Sequence, residues 1–196
     1  ISDQYSFLKN NFKIIPWSTW IIDLETDRET LFKNISKSNG QKNIKRAKKR
    51  GVVVEEITEK NLFEYHDLHS QVMKLSNSSF HDYDVTIKWW NLLQPLGYSG
   101  FLAKYEEKCI GALMFSHYCD HIIEGSLTRS QIDFTENLYS QDLIKWEIIE
   151  WGKENKKKMY NLAGFNPYPI SKKEEGIKKY KQKWGGQKFD YYIIRK

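Results

Sequence analysis

The sequence predicts an α/β domain, and three observations carry that prediction. Runs rich in β-branched and aromatic residues alternate with amphipathic runs along the whole chain. Three strand-like runs, Gly100–Tyr105, Cys109–Tyr118 and Ile122–Thr128, follow one another across connections short enough for hairpins, which makes an antiparallel meander. The segment 137–155 is apolar over most of its circumference, so it belongs deep against a sheet.

The elements follow in order. Ser18–Leu24 reads as a strand, preceded by an arm over residues 1–17; residues 18–196 read as one domain. Asp27 is an N-cap for a helix running to about Lys37, with Leu31, Phe32 and Ile35 on one face, and Asn39-Gly40 breaks it. Gln41–Arg50 is a second helix, very basic, closed by Gly51. Val52–Ile57 is a strand. A helix from about Thr58 to Leu75 carries a stripe of Leu62, Tyr65, His66, His69, Val72 and Met73. Polar Ser76–Asp84 is a loop, and Val85–Leu96 is a helix closed by Gly97. After the meander, Arg129–Glu136 reads as a polar loop into the long helix. The end of the chain is strand (Met159–Gly164), loop, short basic helix stopping at Gly185-Gly186, and an aromatic strand (Lys188–Arg195).

Composition narrows the classes. No run of about 18 apolar residues is present, so no membrane span is expected. No signal peptide is visible, and two cysteines make no disulfide framework, so a reducing cytoplasm is the expected setting. Ile1 in place of a starting Met reads as the cut end of a longer chain, with a further domain expected upstream. Charge is segregated. The segment Lys42–Arg50 carries +6 and Lys153–Lys183 carries +7, against +6 for the whole chain, so the remainder sums to −7. Two basic patches on an acidic body favour polyanionic ligands, although each also reads as a solvated helix face.

The C-terminal block resembles the Fem-type peptidyltransferases, a branch of the Gcn5-related N-acyltransferase (GNAT) superfamily. The likeness rests on a strand ending at Gly164, then Tyr180-Lys181 on a short helix that stops at Trp184-Gly185. Arg46-Ala47-Lys48-Lys49-Arg50-Gly51-Val52 also resembles that family's Arg-rich helix, glycine and valine strand. The resemblance covers about Ser18 to Arg195. It implies a GNAT-like mixed, largely antiparallel sheet flanked by helices, and transfer of an activated acyl group to an amine, typically on a peptidoglycan precursor.

It also implies roles. Lys181 would stabilise the tetrahedral oxyanion of acyl transfer, with Tyr180 standing where the family usually has Phe. Ile177 and Trp184 are expected to anchor their helix, leaving Lys181 in a cleft beside Met159–Gly164 and Tyr180. The acid that often precedes the glycine is replaced by asparagine in Asn161-Leu162-Ala163-Gly164. Lys42, Lys45, Arg46 and Lys49 suit phosphate oxygens, of a tRNA backbone or of a nucleotide-sugar pyrophosphate. No aromatics interleave with them, so base stacking is not expected there. Coenzyme A-dependent relatives carry a glycine-rich pyrophosphate loop before the long helix; Arg129–Glu136 has no glycine and two acids. Aminoacyl-tRNA is therefore the expected donor, and a coenzyme A thioester the lesser one. Glu124, an acid in an apolar strand, reads as a base, as an anchor for the substrate amine, or as a solvent-facing side chain. His117-Tyr118-Cys119-Asp120-His121 has metal-like spacing but spans a turn, and no metal site is expected. A non-catalytic domain of the same fold is the remaining alternative.

Overall fold

The computed structural model describes residues 12–196. The described part of the chain forms a seven-stranded sheet in the order β2-β3-β4-β5-β6-β1-β7. All neighbouring strands are antiparallel except β5 and β6, which run parallel. The strands are β1 (Lys13–Asp23), β2 (Val53–Glu56), β3 (Tyr98–Tyr105), β4 (Lys108–Tyr118), β5 (His121–Arg129), β6 (Met159–Phe165) and β7 (Gln187–Arg195). The helices are α1 (Arg28–Asn34), α2 (Lys42–Lys49), α3 (Leu62–Leu75), α4 (Tyr83–Leu93), α5 (Gln131–Thr135), α6 (Ser140–Glu154) and α7 (Lys172–Gln182). Among them, no helix is long and apolar enough to cross a membrane.

The central strands are apolar on both faces because both faces are covered. Phe101, Leu113, Phe115 and Ile122 meet α6, whose Leu143, Ile144, Ile148 and Ile149 are buried, and Trp184 closes the same core. Leu102, Ala112 and Met114 point the other way, against Leu62, Tyr65 and Leu68 of α3 and Trp90 of α4.

Several boundaries differ from the sequence reading. β1 starts at Lys13, so 13–17 belong to the sheet and pair with β7; the rest of the predicted arm, residues 1–11, lies outside the described residues. Pro16 masked this strand. It is tolerated because it lies where β1 has a partner on one side only, pairing with β6 beginning at Ser18. Helix α1 has the predicted cap, Asp27 accepting from Thr30 N, but ends at Asn34, and residues 37–41 form a single π turn. The predicted polar loop 129–136 contains α5, capped by Ser130. Helix α7 starts at Lys172, a turn before the expected glycine, because Ser171 accepts from the N–H of Glu174.

One feature positions the site. β5 and β6 pair only over Ile122↔Tyr160 and the residue on each side, then part. Each carries a bulge just past the parting. Between its pairings with Leu113 and Phe115 of β4, β5 holds one extra residue. β6 does the same between its pairings with Thr19 and Ile21 of β1. The β6 bulge puts Ala163 at φ +61, rare for a residue with a Cβ. Asn161 supports it: its Oδ1 accepts from Ala163 N at 2.9 Å and from Thr19 Oγ1 at 2.5 Å. Asn161 thus shapes the strand.

Candidate active site

Lys181 lies at the parting of β5 and β6. It is 8% exposed, and its Nζ donates to the carbonyls of Leu162 and, at 3.0 Å, Ala163. The β6 bulge turns these carbonyls toward α7. Burial pushes the Lys181 pKa down to about 8, with Glu124 opposing the shift and Lys145 adding to it. An ammonium has three donors, so one N–H remains for another acceptor. Of the two expected anchors, Trp184 is buried, but Ile177 is 38% exposed and does not hold the helix. The capped first turn and Trp184 hold it instead.

Tyr180, the preceding residue, turns the opposite way, beneath α7. Its ring lies 4.7 Å from the ammonium of Lys145 and 4.3 Å from that of Lys183, a cation–π contact with each. Its hydroxyl is buried without a well-formed hydrogen bond, and burial, then Asp142 and Glu124, raise its pKa well above the usual phenol. Tyr180 therefore packs against two cations, Lys145, which is fully buried, and Lys183, which is largely buried.

Both cations have counterions. Lys145 is fully buried in α6 and donates to Glu124 Oε2 at 2.6 Å; Tyr160 Oη donates to the same oxygen at 3.1 Å. Burial and the Glu124 charge hold the Tyr160 pKa far above its ordinary value. Glu124 is therefore neither a free base nor a solvent-facing acid: it is ion-paired at the edge of the core. Among the described residues its other oxygen, Oε1, has no partner. On the far side of Tyr180, Lys183 pairs with Asp142, which also accepts from Asn43 of α2 at 2.7 Å. Burial lowers the Lys183 pKa, with Asp142 opposing. A continuous chain thus runs from Asn43 through Asp142, Lys183, Tyr180 and Lys145 to Glu124.

Helix α2 presents Lys42, Lys45, Arg46 and Lys49 at i, i+3, i+4 and i+7, so they share one face. With Lys37 and Gln41 they line a shallow depression of about 370 Å³. Ile44 and Ala47, both buried, hold the opposite face. Lys48 pairs with Glu147 at 3.0 Å, and Arg46 leans on Tyr139, 3.4 Å from its hydroxyl. Among the described residues, no acid pairs with Lys42, Lys45 or Lys49. The depression and the parting are separate places, joined through Asn43.

At the N-terminus of α6, Asp133 is buried and accepts from Ser140 N at 3.0 Å and from the Arg129 guanidinium. A side-chain carboxylate therefore already occupies this helix end. His117 packs at a tilt against Trp151, while His121 contacts its neighbour Asp120 at the β4–β5 turn. His66 and His69 are held by Thr86 and Thr128.

Sequence reasoning missed Lys145, Asp142, Lys183 and Asp133. The available signal was a lone lysine inside the apolar stretch Leu143-Ile144-Lys145-Trp146, with a lone acid, Glu124, in an apolar strand. A charge at such positions demands a partner.

No family model matches the chain, and no curated protein matches it. Solved structures do. FemX superposes with a TM-score of 0.72 at 12% identity, over 90% of this chain and 61% of FemX. L-PGS from Bacillus licheniformis gives 0.65 at 12% identity, over 100% of this chain and 65% of that one. A conserved protein of unknown function from Bacteroides thetaiotaomicron gives 0.66 at 14% identity, over 100% and 67%. The chain thus spans less than two thirds of FemX and of L-PGS. Identities this low speak for the fold alone, and that fold is the Fem-like, GNAT-type α/β domain.

Proposed function

We propose that the chain is a Fem-like acyl- or aminoacyltransferase domain that moves an activated acyl group onto an amine. The observation that carries the reading is the buried ammonium of Lys181 at the parting of β5 and β6, with one N–H left over and Glu124 close by. In the reaction, the amine nitrogen attacks the carbonyl carbon of an ester, and the carbonyl oxygen becomes an oxyanion. The remaining Lys181 N–H donates to that oxygen, from an ammonium already buried and held by two carbonyls. Glu124 Oε1 accepts an N–H of the incoming amine and so orients it. Collapse breaks the ester C–O bond, and the released hydroxyl takes the proton that the amine gives up.

The donor we favour is an ester on a phosphate-rich carrier, aminoacyl-tRNA, whose backbone would lie on Lys42, Lys45, Arg46 and Lys49. Coenzyme A is the weaker candidate, because Asp133 holds the helix end where a pyrophosphate would sit. An amine on a peptidoglycan precursor, carried by a nucleotide sugar, is the acceptor the Fem likeness favours, with the reaction in the cytoplasm and an upstream domain helping to bind it. The test is a transfer assay offering charged tRNA and acetyl-CoA separately with a panel of amine acceptors. Product from charged tRNA that disappears in Lys181→Ala supports the reading. Product from acetyl-CoA alone would move the chain to the coenzyme A class, and no product from either would leave a binding domain.

A further inference from the structure

The other face of the sheet carries a pocket that this chemistry does not use. It lies between α3, α4 and their connection, over Tyr98 of β3 and Met114 of β4, and holds about 300 Å³. That is the lower end of the range for small-molecule sites, room for a single ring system. The walls are aromatic: Tyr65, Phe80, Trp89 and Trp90. Trp89 is 59% exposed, and among the described residues no ring stacks on it. Isolated exposed apolar residues are ordinary, but an open indole face at the mouth of an aromatic pocket is a stacking platform.

The lining carries three histidines, His66, His69 and the exposed His81, and the first two are held in place. His66 Nδ1 is bonded to Thr86 Oγ1 at 2.9 Å and His69 Nδ1 to Thr128 Oγ1 at 3.2 Å, which fixes both rings. Each Nε2 is left without a partner among the described residues. No Asp, Glu, Lys or Arg lines the pocket. A charged ligand would lose its hydration there and find no counterion. Burial and the nearby His66 hold the His69 pKa below its ordinary value, which favours the neutral form of that one ring.

We propose that this pocket binds a neutral planar ring, a nucleobase or an aromatic amino-acid side chain, stacked on Trp89 with its polar edge met by the Nε2 atoms of His66 and His69. The proposal does not rest on the transferase reading, because binding is measured without transfer. The probes are adenosine and N-acetyltyrosinamide, with N-acetylcyclohexylalaninamide as a non-planar control and tetramethylammonium as a cationic one. Each is titrated by ligand-observed NMR against the whole chain, against Trp89→Ala and against His66→Phe. Trp89 is exposed, so Trp89→Ala keeps the fold, which circular dichroism checks. We expect at least one planar probe to bind saturably and to weaken about tenfold in Trp89→Ala. His66→Phe should weaken the same probe while preserving the pocket's shape. The planar probe that binds more tightly names the source of the ring. The proposal is overturned if neither planar probe saturates at millimolar concentration, if a control binds as tightly, or if Trp89→Ala leaves the affinity unchanged.

Discussion

Two lysine-bearing regions of this molecule look alike in sequence and are opposites in the structure. On α2, Lys42, Lys45 and Lys49 face water with no acid paired to them. Around α6 and α7, Lys145 and Lys181 are buried and Lys183 is largely so, and each is held by a carboxylate or by carbonyls. Both regions pack against the same core, and Asn43 to Asp142 joins them. The difference lies in what each cation was given on folding. A lysine removed from water must find a counterion or hydrogen-bond acceptors inside the fold; one left in water keeps its charge available for an external anion. The α2 face is therefore suited to recruit a ligand, and the buried set to shape a site.

The largest effect should come from breaking the buried set. Lys145→Met leaves the Glu124 carboxylate at the edge of the core without its cation, and should lower stability by about 3–5 kcal/mol. Urea unfolding measures it. The double variant Lys145→Met with Glu124→Leu should recover much of that loss, because no unpaired charge remains. A single variant as stable as the wild type would mean that Glu124 finds water, and the contrast between the two regions would fail.

Lys181→Ala comes next. If its free N–H meets the oxyanion, kcat/KM should fall by the equivalent of about 2–4 kcal/mol of transition-state binding. Stability should fall as well, because the substitution strips a donor from the carbonyls of Leu162 and Ala163, and a loss of about 1–2 kcal/mol in unfolding free energy should follow. A variant that loses this stability but transfers acyl groups at the wild-type rate would make Lys181 a structural strut.

How much of this was legible beforehand depends on how local the signal is. The strand and helix order, the meander and the Asp27 cap all follow from periodicity and neighbours in sequence, and all are present. The five residues of β1 before Ser18 were hidden because their partner, β7, is almost the whole chain away. Helix α5 was hidden because Asp133 reads as a solvent-loving acid until Ser140 and Arg129 are seen to enclose it. The same holds for the site. Lys181, Glu124 and the basic helix were named from local residues and family likeness. The pairing of Glu124 with Lys145 is a contact between β5 and α6, and no local pattern carries it.

The α2 face is tested by salt. Replacing Arg46 and Lys49 by Gln should weaken binding of charged tRNA and flatten the salt dependence by about one unit of slope for each phosphate no longer neutralised. Lys48→Gln is the internal control: Lys48 pairs with Glu147, so its replacement should shift the slope much less. Equal effects at Lys48 and Lys49 would show that only the total charge of the helix matters, and the distinction between paired and unpaired lysines would dissolve.

The smallest effect is a pH dependence of stability, and it reads the buried set directly. Free lysine holds its proton to about 10.5, whereas Lys181 in the fold gives it up near 8. Below pH 8 both states are protonated, and the cost of the buried charge is fully present. Between about 8 and 10.5 the unfolded chain binds more protons than the folded one, so stability contributed by this group rises with pH and levels off above that window. The two carbonyls that hold the ammonium resist its deprotonation, which is why the rise is expected to be shallow. Lys183 is depressed in the same direction but is present in both proteins compared, so it cancels. Measured from pH 7 to 10.5, the unfolding free energy of wild type should therefore rise relative to that of Lys181→Met if the cation is the costly form. Parallel curves across that window would mean that Lys181 keeps its proton, and that its carbonyl contacts make up fully for the water it lost.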